Sequence, residues 1–154
     1  MSEITLAQAL ENHYARNPSF RRPDTYPAPY RDILLVHDLV HIIYEVDTSL
    51  LGEAFAESIS YLKTNTELTD HGRFWFSKEG RNIVRRLVHE YTPLVMFRII
   101  LYLIYALPAT AWKLRRQTKT IPLYTYEYSL DTPIAEIRRQ YNITPLKIRP
   151  RSFS

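Results

Sequence analysis

A chain of 154 residues with no cysteine excludes disulfides and thiolate chemistry, and it limits any metal site to nitrogen and oxygen donors. Three glycines and ten prolines, the prolines mostly between apolar runs, predict an all-α fold, a single compact helical domain over 1–154. The net charge of +4 suits an anionic membrane surface or an anionic substrate and is too mild to single out nucleic acid.

In chain order, Ser2 to Arg16 reads as a first helix with Ile4, Leu6, Ala7, Ala9 and Leu10 on its apolar side. Asn17-Pro18 ends it, and Pro18, Pro23, Pro27 and Pro29 predict an extended connection. A second helix is expected from about Tyr30 to Glu45, and a third from about Ser49 to Lys63 after the Asp47-Thr48-Ser49 turn. Thr64 to Ser77 reads as a loop around Gly72, although Phe74-Trp75-Phe76 must bury somewhere. Lys78 to Tyr91 is predicted helical. Leu94 to Leu107 then forms a very apolar helix that Pro108 ends or kinks, short of the roughly 20 residues a spanning helix needs. With no signal-type N-terminus, the expectation is a soluble or peripheral protein. Leu123 to Tyr128 suits a short strand or an extended arm. The last helix is marked by Thr132 as cap, Pro133 at the first position, Ile134, Ile137 and Tyr141 inward, and Asn142 in a left-handed position after it.

The chemistry concentrates in His37-Asp38-Leu39-Val40-His41, set in a run that is otherwise almost wholly apolar. A helix hydrophobic nearly all round is a buried one, and imidazoles and a carboxylate inside it need partners. His37 and His41 stand at i and i+4, on one face, and Asp38 can lean toward the same point. These donors suit a divalent transition metal. The predicted site is therefore a buried metal-bearing helix pair, with Glu53 from the first turn of the next helix. Glu45, one turn beyond His41, is a rival for that place; the simpler reading makes it a surface acid at a helix end.

The spacing His-Asp-x-x-His, eleven residues, Glu resembles the zinc-ligand motif of the coenzyme Q biosynthesis protein 4 family. Leu51-Gly52-Glu53 is similar to that family's Leu-Gly-Glu. Tyr126-Glu127, Leu130, Ile137-Arg138 and Asn142-Ile143 follow its C-terminal signature without a gap. Leu130 stands where the family has tryptophan, Asn142 where it has glycine, and Leu34-Leu35-Val36 where it has Arg-Glu-Val. The resemblance covers roughly Tyr30 to Lys63 and Leu123 to Ile143, as in a divergent, shortened member.

It implies one divalent metal, zinc or, on the same donors, ferrous iron, held by His37, Asp38, His41 and Glu53, with Asp38 and Glu53 also catalytic. It implies a role in ubiquinone biosynthesis, the oxidative decarboxylation of a prenylated aromatic precursor. The alternative is a non-catalytic scaffold that holds a prenyl lipid and organises membrane-associated quinone-biosynthesis enzymes. The partners expected are the precursor or another prenyl lipid, other quinone-biosynthesis proteins, a membrane surface and a second copy of the chain, without nucleic acid. The location implied is cytoplasmic and peripheral to the inner membrane, or the matrix face of the inner membrane in a mitochondrion.

Other readings of the same residues are weaker. His-Asp phosphohydrolases also carry an adjacent His-Asp pair, but that scheme must recruit His13 and Asp131 and leaves His41 unused. His71 and His89 lack partner spacing and read as surface or packing histidines. Leu94 to Leu107 suits either a prenyl tunnel or a plain core helix, and Trp112, Lys113, Arg115, Arg116 and Lys119 behind it suit an anionic headgroup layer.

Overall fold

A computed structural model describes residues 3–18, 22–28, 30–90, 92–123 and 130–148, the side chains of 68, 83, 86, 87 and 90 excepted. Seven helices make up the described residues: α1 (Leu6–Arg16), α2 (Tyr30–Tyr44), α3 (Leu50–Lys63), α4 (Leu68–Phe76), α5 (Lys78–Glu90), α6 (Pro93–Lys113) and α7 (Ile134–Gln140). A short 3₁₀ turn at Pro23–Thr25 lies between α1 and α2, and only isolated bridges occur in place of strands among the described residues. The expected all-α class is the observed one. One core draws on α1 (Leu6, Leu10), α2 (Val40, Ile43, Tyr44), α3 (Phe55, Ile59), α6 (Ala106), α7 (Ile137) and the segment at Ile121 and Leu123.

Helix α1 starts at Leu6, four residues later than expected. Thr5 and Gln8 form a capping box there, the Gln8 amide donating to Thr5 Oγ1 and the Thr5 amide to Gln8 Oε1. The residues before it are extended because they pair with the chain entering α7: Leu6 N–H donates to Thr132 O at 3.0 Å, and Ile134 N–H to Ile4 O at 3.2 Å. The same pairing holds Pro133 extended, as the N-cap of α7 and not its first helical residue. Ile134 and Ile137 are buried as expected, and Asn142 is left-handed at φ 52°.

Thr64 to Ser77 is a correction. It contains α4, because His71, Phe74 and Trp75 share one face and two of them bury: His71 is 2% exposed and Phe74 3%. Gly72 costs such a helix about 1 kcal/mol relative to alanine, which that burial outweighs. The apolar run is a second correction. It does not stop at Pro108 but continues through it to Lys113, and it is neither a core helix nor enclosed, since only Ala106 and Thr110 are buried. The Tyr124–Tyr128 segment lies outside the described residues.

The C-terminal end of α2 is tied down fully. A helix leaves its last four carbonyls without internal partners. Here Val46 N–H donates to His41 O at 3.0 Å across Glu45, which is left-handed at φ 52°. Arg138 of α7 donates from Nη2 to Ile42 O at 3.0 Å and from Nε to Ile43 O at 2.8 Å. Leu146 N–H donates to Tyr44 O at 2.8 Å. The third Arg138 nitrogen pairs with Glu45 at 2.9 Å. Arg138→Ala removes two charge-assisted bonds from partly buried carbonyls, so it should cost about 2 kcal/mol in urea unfolding. A change within a few tenths would mean the guanidinium is not the cap it looks to be.

Candidate metal centre

The α2–α3 turn sets the third donor. Asp47 Oδ1 accepts from Ser49 N–H at 3.0 Å and from Ser49 Oγ at 2.6 Å, and Ser49 Oγ accepts from Gly52 N–H at 3.1 Å, capping α3. A Cβ on Gly52 would lie 2.1 Å from Asp47 O, so only glycine lets the turn fold this tightly onto the helix start. The result brings Glu53 against the histidine face of α2.

His37, His41 and Glu53 each offer one donor atom within 4.8 Å of the others. His41 Nε2 faces Glu53 Oε1 at 3.4 Å, and His37 Nε2 faces Glu53 Oε2 at 3.5 Å. His41 Nδ1 lies 3.0 Å from Val46 O. A carbonyl only accepts, so Nδ1 carries the proton, and in the neutral ring Nε2 turns a lone pair toward the carboxylate. Neither His41 Nε2 nor Glu53 Oε1 makes a hydrogen bond, and both are shielded from water. Two buried acceptors aimed at each other need a cation or a proton between them. This donor set and the fixed tautomer fit a divalent metal of the zinc or ferrous class.

Asp38 is placed differently from the other three. Its Oδ2 accepts from the Tyr14 hydroxyl at 2.7 Å, and its Oδ1 stands 3.8 Å from His37 Nδ1. It lies behind His37, outside the group of converging atoms. A carboxylate behind a metal-binding imidazole orients the ring and raises its basicity. Glu45 faces away into its ion pair with Arg138, which matches its simpler reading.

Two more side chains adjoin the cluster: His13, weighed in the sequence only for the phosphohydrolase scheme, and Glu57, which the sequence reading did not single out. His13 of α1 stacks on His41 with ring centroids 5.7 Å apart, and burial lowers its pKa although Asp38 opposes this. Glu57 lies one turn beyond Glu53. Its Oε1 accepts from Tyr61 at 2.5 Å and Trp75 at 3.3 Å, and His71 Nδ1 stands 3.5 Å away. The spacing Glu53-Glu57-Tyr61, one residue per turn, was a signal available for this second cluster. His71 is a packing histidine, buried between Glu57, Thr66 and the Tyr61 ring. His89 is exposed, as is Asp131.

The charges interlock. Burial alone would disfavour protonated His37, but Asp38, Glu53 and Glu57 outweigh it and raise its pKa to about 9. Burial would raise Glu53, yet His41, His37 and His13 hold it below the usual carboxylate range. Burial and the Asp38 charge push the Tyr14 phenol up. A cavity of about 740 Å³ on the α1 side, lined by His13, Arg16, Ile42, Ile134 and Ile148 among others, touches the cluster at His41 and not at His37 or Glu53. Its volume is that of a small-molecule site.

Against known proteins, no family model, no curated protein and no solved structure matches this chain.

Glu57 gives a pH prediction. Burial opposes its ionisation, but His71, His37 and Tyr61 lower its pKa from 4.5 to about 2. A depressed carboxylate contributes stability that is present above 4.5 and is lost as pH falls through the folded value. Glu57→Gln should therefore cost about 3 kcal/mol at neutral pH, with the gap to wild type closing between pH 4.5 and 2 in urea titrations. A gap that stays constant down to the acid limit would assign the loss to packing instead.

Proposed function

We propose that the chain holds one divalent metal between α2 and α3 through His37, His41 and Glu53, with Asp38 and Tyr14 orienting His37. The observation that carries this is the pair of buried, bond-less acceptors, His41 Nε2 and Glu53 Oε1, facing each other at 3.4 Å. Among the described residues three side chains converge, the ligand number of a catalytic site.

The substrate reading rests on the resemblance in motif spacing. The chain would act on a prenylated aromatic acid of ubiquinone biosynthesis, replacing the ring carboxyl with a hydroxyl. That change is a two-electron oxidation: water supplies the hydroxyl oxygen, the carboxyl leaves as carbon dioxide, and dioxygen takes up the two electrons and two protons as hydrogen peroxide. A bound metal supplies Lewis acidity toward the ring carboxylate and its neighbouring oxygen. The protein's own residues do the rest. The cavity beside His41 carries both charges, Arg16 and Arg138 against Glu3, Glu45 and Asp47, with Ile42, Ile134 and Ile148 as its apolar wall. Val46 O fixes the His41 tautomer, and Tyr14 keeps Asp38 turned toward His37.

Purified protein should carry close to one zinc or iron per chain by elemental analysis. His41→Ala should lose it, and Asp38→Asn should weaken affinity about 10- to 100-fold, as expected for a group behind the ligand. Glu45→Gln should bind as wild type. Full occupancy in His41→Ala rules out this site. In a cell lacking the ubiquinone decarboxylation step, the wild-type chain should restore quinone and Glu53→Gln should not. A metal-loaded, stably expressed wild type without rescue would retain the metal centre and remove the substrate.

A further inference from the structure

The largest feature the metal centre does not use is the outward face of α6. Leu94, Phe97, Ile100, Ile104 and Leu107 are exposed along it, Phe97 at 57% and Ile104 at 66%. The helix is long and apolar enough to cross a bilayer by length and composition, with 11% of its most apolar window buried. Exposed apolar surface of this extent marks an interaction site.

The charges around it identify the occupant. From 91 to 126 the chain has no aspartate or glutamate, while Arg98, Lys113, Arg115, Arg116 and Lys119 all fall there. All of these basic residues are exposed. At the C-terminal end Trp112 is 67% exposed, and the Arg115 guanidinium stacks over its indole, 4.1 Å from the centroid. An indole among cations belongs at the headgroup level of a membrane. The preceding α5 repeats the pattern, with exposed Arg81 and Arg85 beside exposed Val84 and Val88. It is a basic amphipathic helix of the kind that lies on anionic bilayers.

We infer that α6, aided by α5, docks the protein on an anionic bilayer, lying in the plane of the interface with Phe97 and Ile104 in the acyl boundary. It does not span. Among the described residues its inner side packs on α3 more extensively than any other two helices meet, and α3 carries Glu53 and Glu57, carboxylates that a hydrocarbon layer would not admit. Arg98, near the start of α6, reaches headgroups along its own stem. This inference goes beyond the proposed metal chemistry and does not depend on it.

The test is co-sedimentation of the full chain with phosphatidylcholine vesicles, with and without phosphatidylserine, by titration. Binding should favour the anionic vesicles. Changing Lys113, Arg115 and Arg116 together to Gln should weaken it about 100-fold, at roughly 1 kcal/mol per cation. Phe97→Ser with Ile104→Ser should lose binding while keeping the wild-type circular dichroism, since both side chains already face outward. Glu53→Gln should bind vesicles as wild type does, which separates this surface from the metal site. Alkaline carbonate should release the membrane-bound protein. Equal binding to both vesicles, or by the basic-to-Gln variant, overturns the proposal. So does retention through carbonate, the mark of a span. A stable dimer in solution that Phe97→Ser dissociates, without vesicle binding, would assign the face to a second copy of the chain and overturn it too.

Discussion

A helix end inside a protein must find donors for its last carbonyls, and here that requirement fixes the site. The end of α2 takes them from three separate places: Val46 just past it, Arg138 on α7, and Leu146 beyond α7. The left-handed turn at Glu45 that points Val46 N–H back at His41 O also brings Val46 O to His41 Nδ1. One turn thus satisfies the backbone and sets the tautomer of a side chain. The C-terminal part of the chain is therefore structural support for a donor set that lies a hundred residues before it. The same part reaches α1 through Thr132 and Ile134, so His13 and Tyr14 are held to α2 by the same clamp.

Electrostatics then limits what the cluster can be. Three histidines and three acids crowd the α1–α2–α3 contact, with Tyr14 as a neutral donor. In the absence of a metal, a proton on His37 balances the carboxylates around it, which is why acids outweigh burial in its pKa. A metal would displace that proton and answer the lone pair of His41 as well. A single charge thus has two possible carriers at this place, and only the divalent one satisfies all three donors at once.

The legible parts of the sequence were those encoded on a single element. His37 and His41 share a helix face by spacing alone, and the Leu-Gly-Glu signature located Glu53, for which the collision of any Gly52 side chain with Asp47 supplies a physical reason. Asp38 was legible as part of the site but its job was not: its main partner, Tyr14, sits on another helix and leaves no local pattern. The α4 helix was missed because its two best-buried side chains, His71 and Phe74, look like a loop's residues until Glu57 and Tyr30 are packed against them. For α6 the periodicity failed for a different reason. A helix apolar on every side does not say which side faces inward, so burial had to come from its neighbour.

That neighbour is α3, and its composition explains how one helix serves two surroundings. Ala54 and Ser58 form one buried stripe of small side chains on α3, and Ala56 and Ser60 another. Ser58 and Ser60 return their hydroxyls to Ala54 O and Ala56 O at 2.8 and 2.9 Å, so both buried hydroxyls are satisfied within their own helix. Phe55 meets the edge of Tyr105 at 6.1 Å. Along the same helix Glu53, Glu57 and Tyr61 follow one another a turn apart, toward α2 and α4. Helix α3 therefore meets α6 through apolar contacts such as Phe55 on Tyr105, and meets α2 and α4 through Glu53 and Glu57.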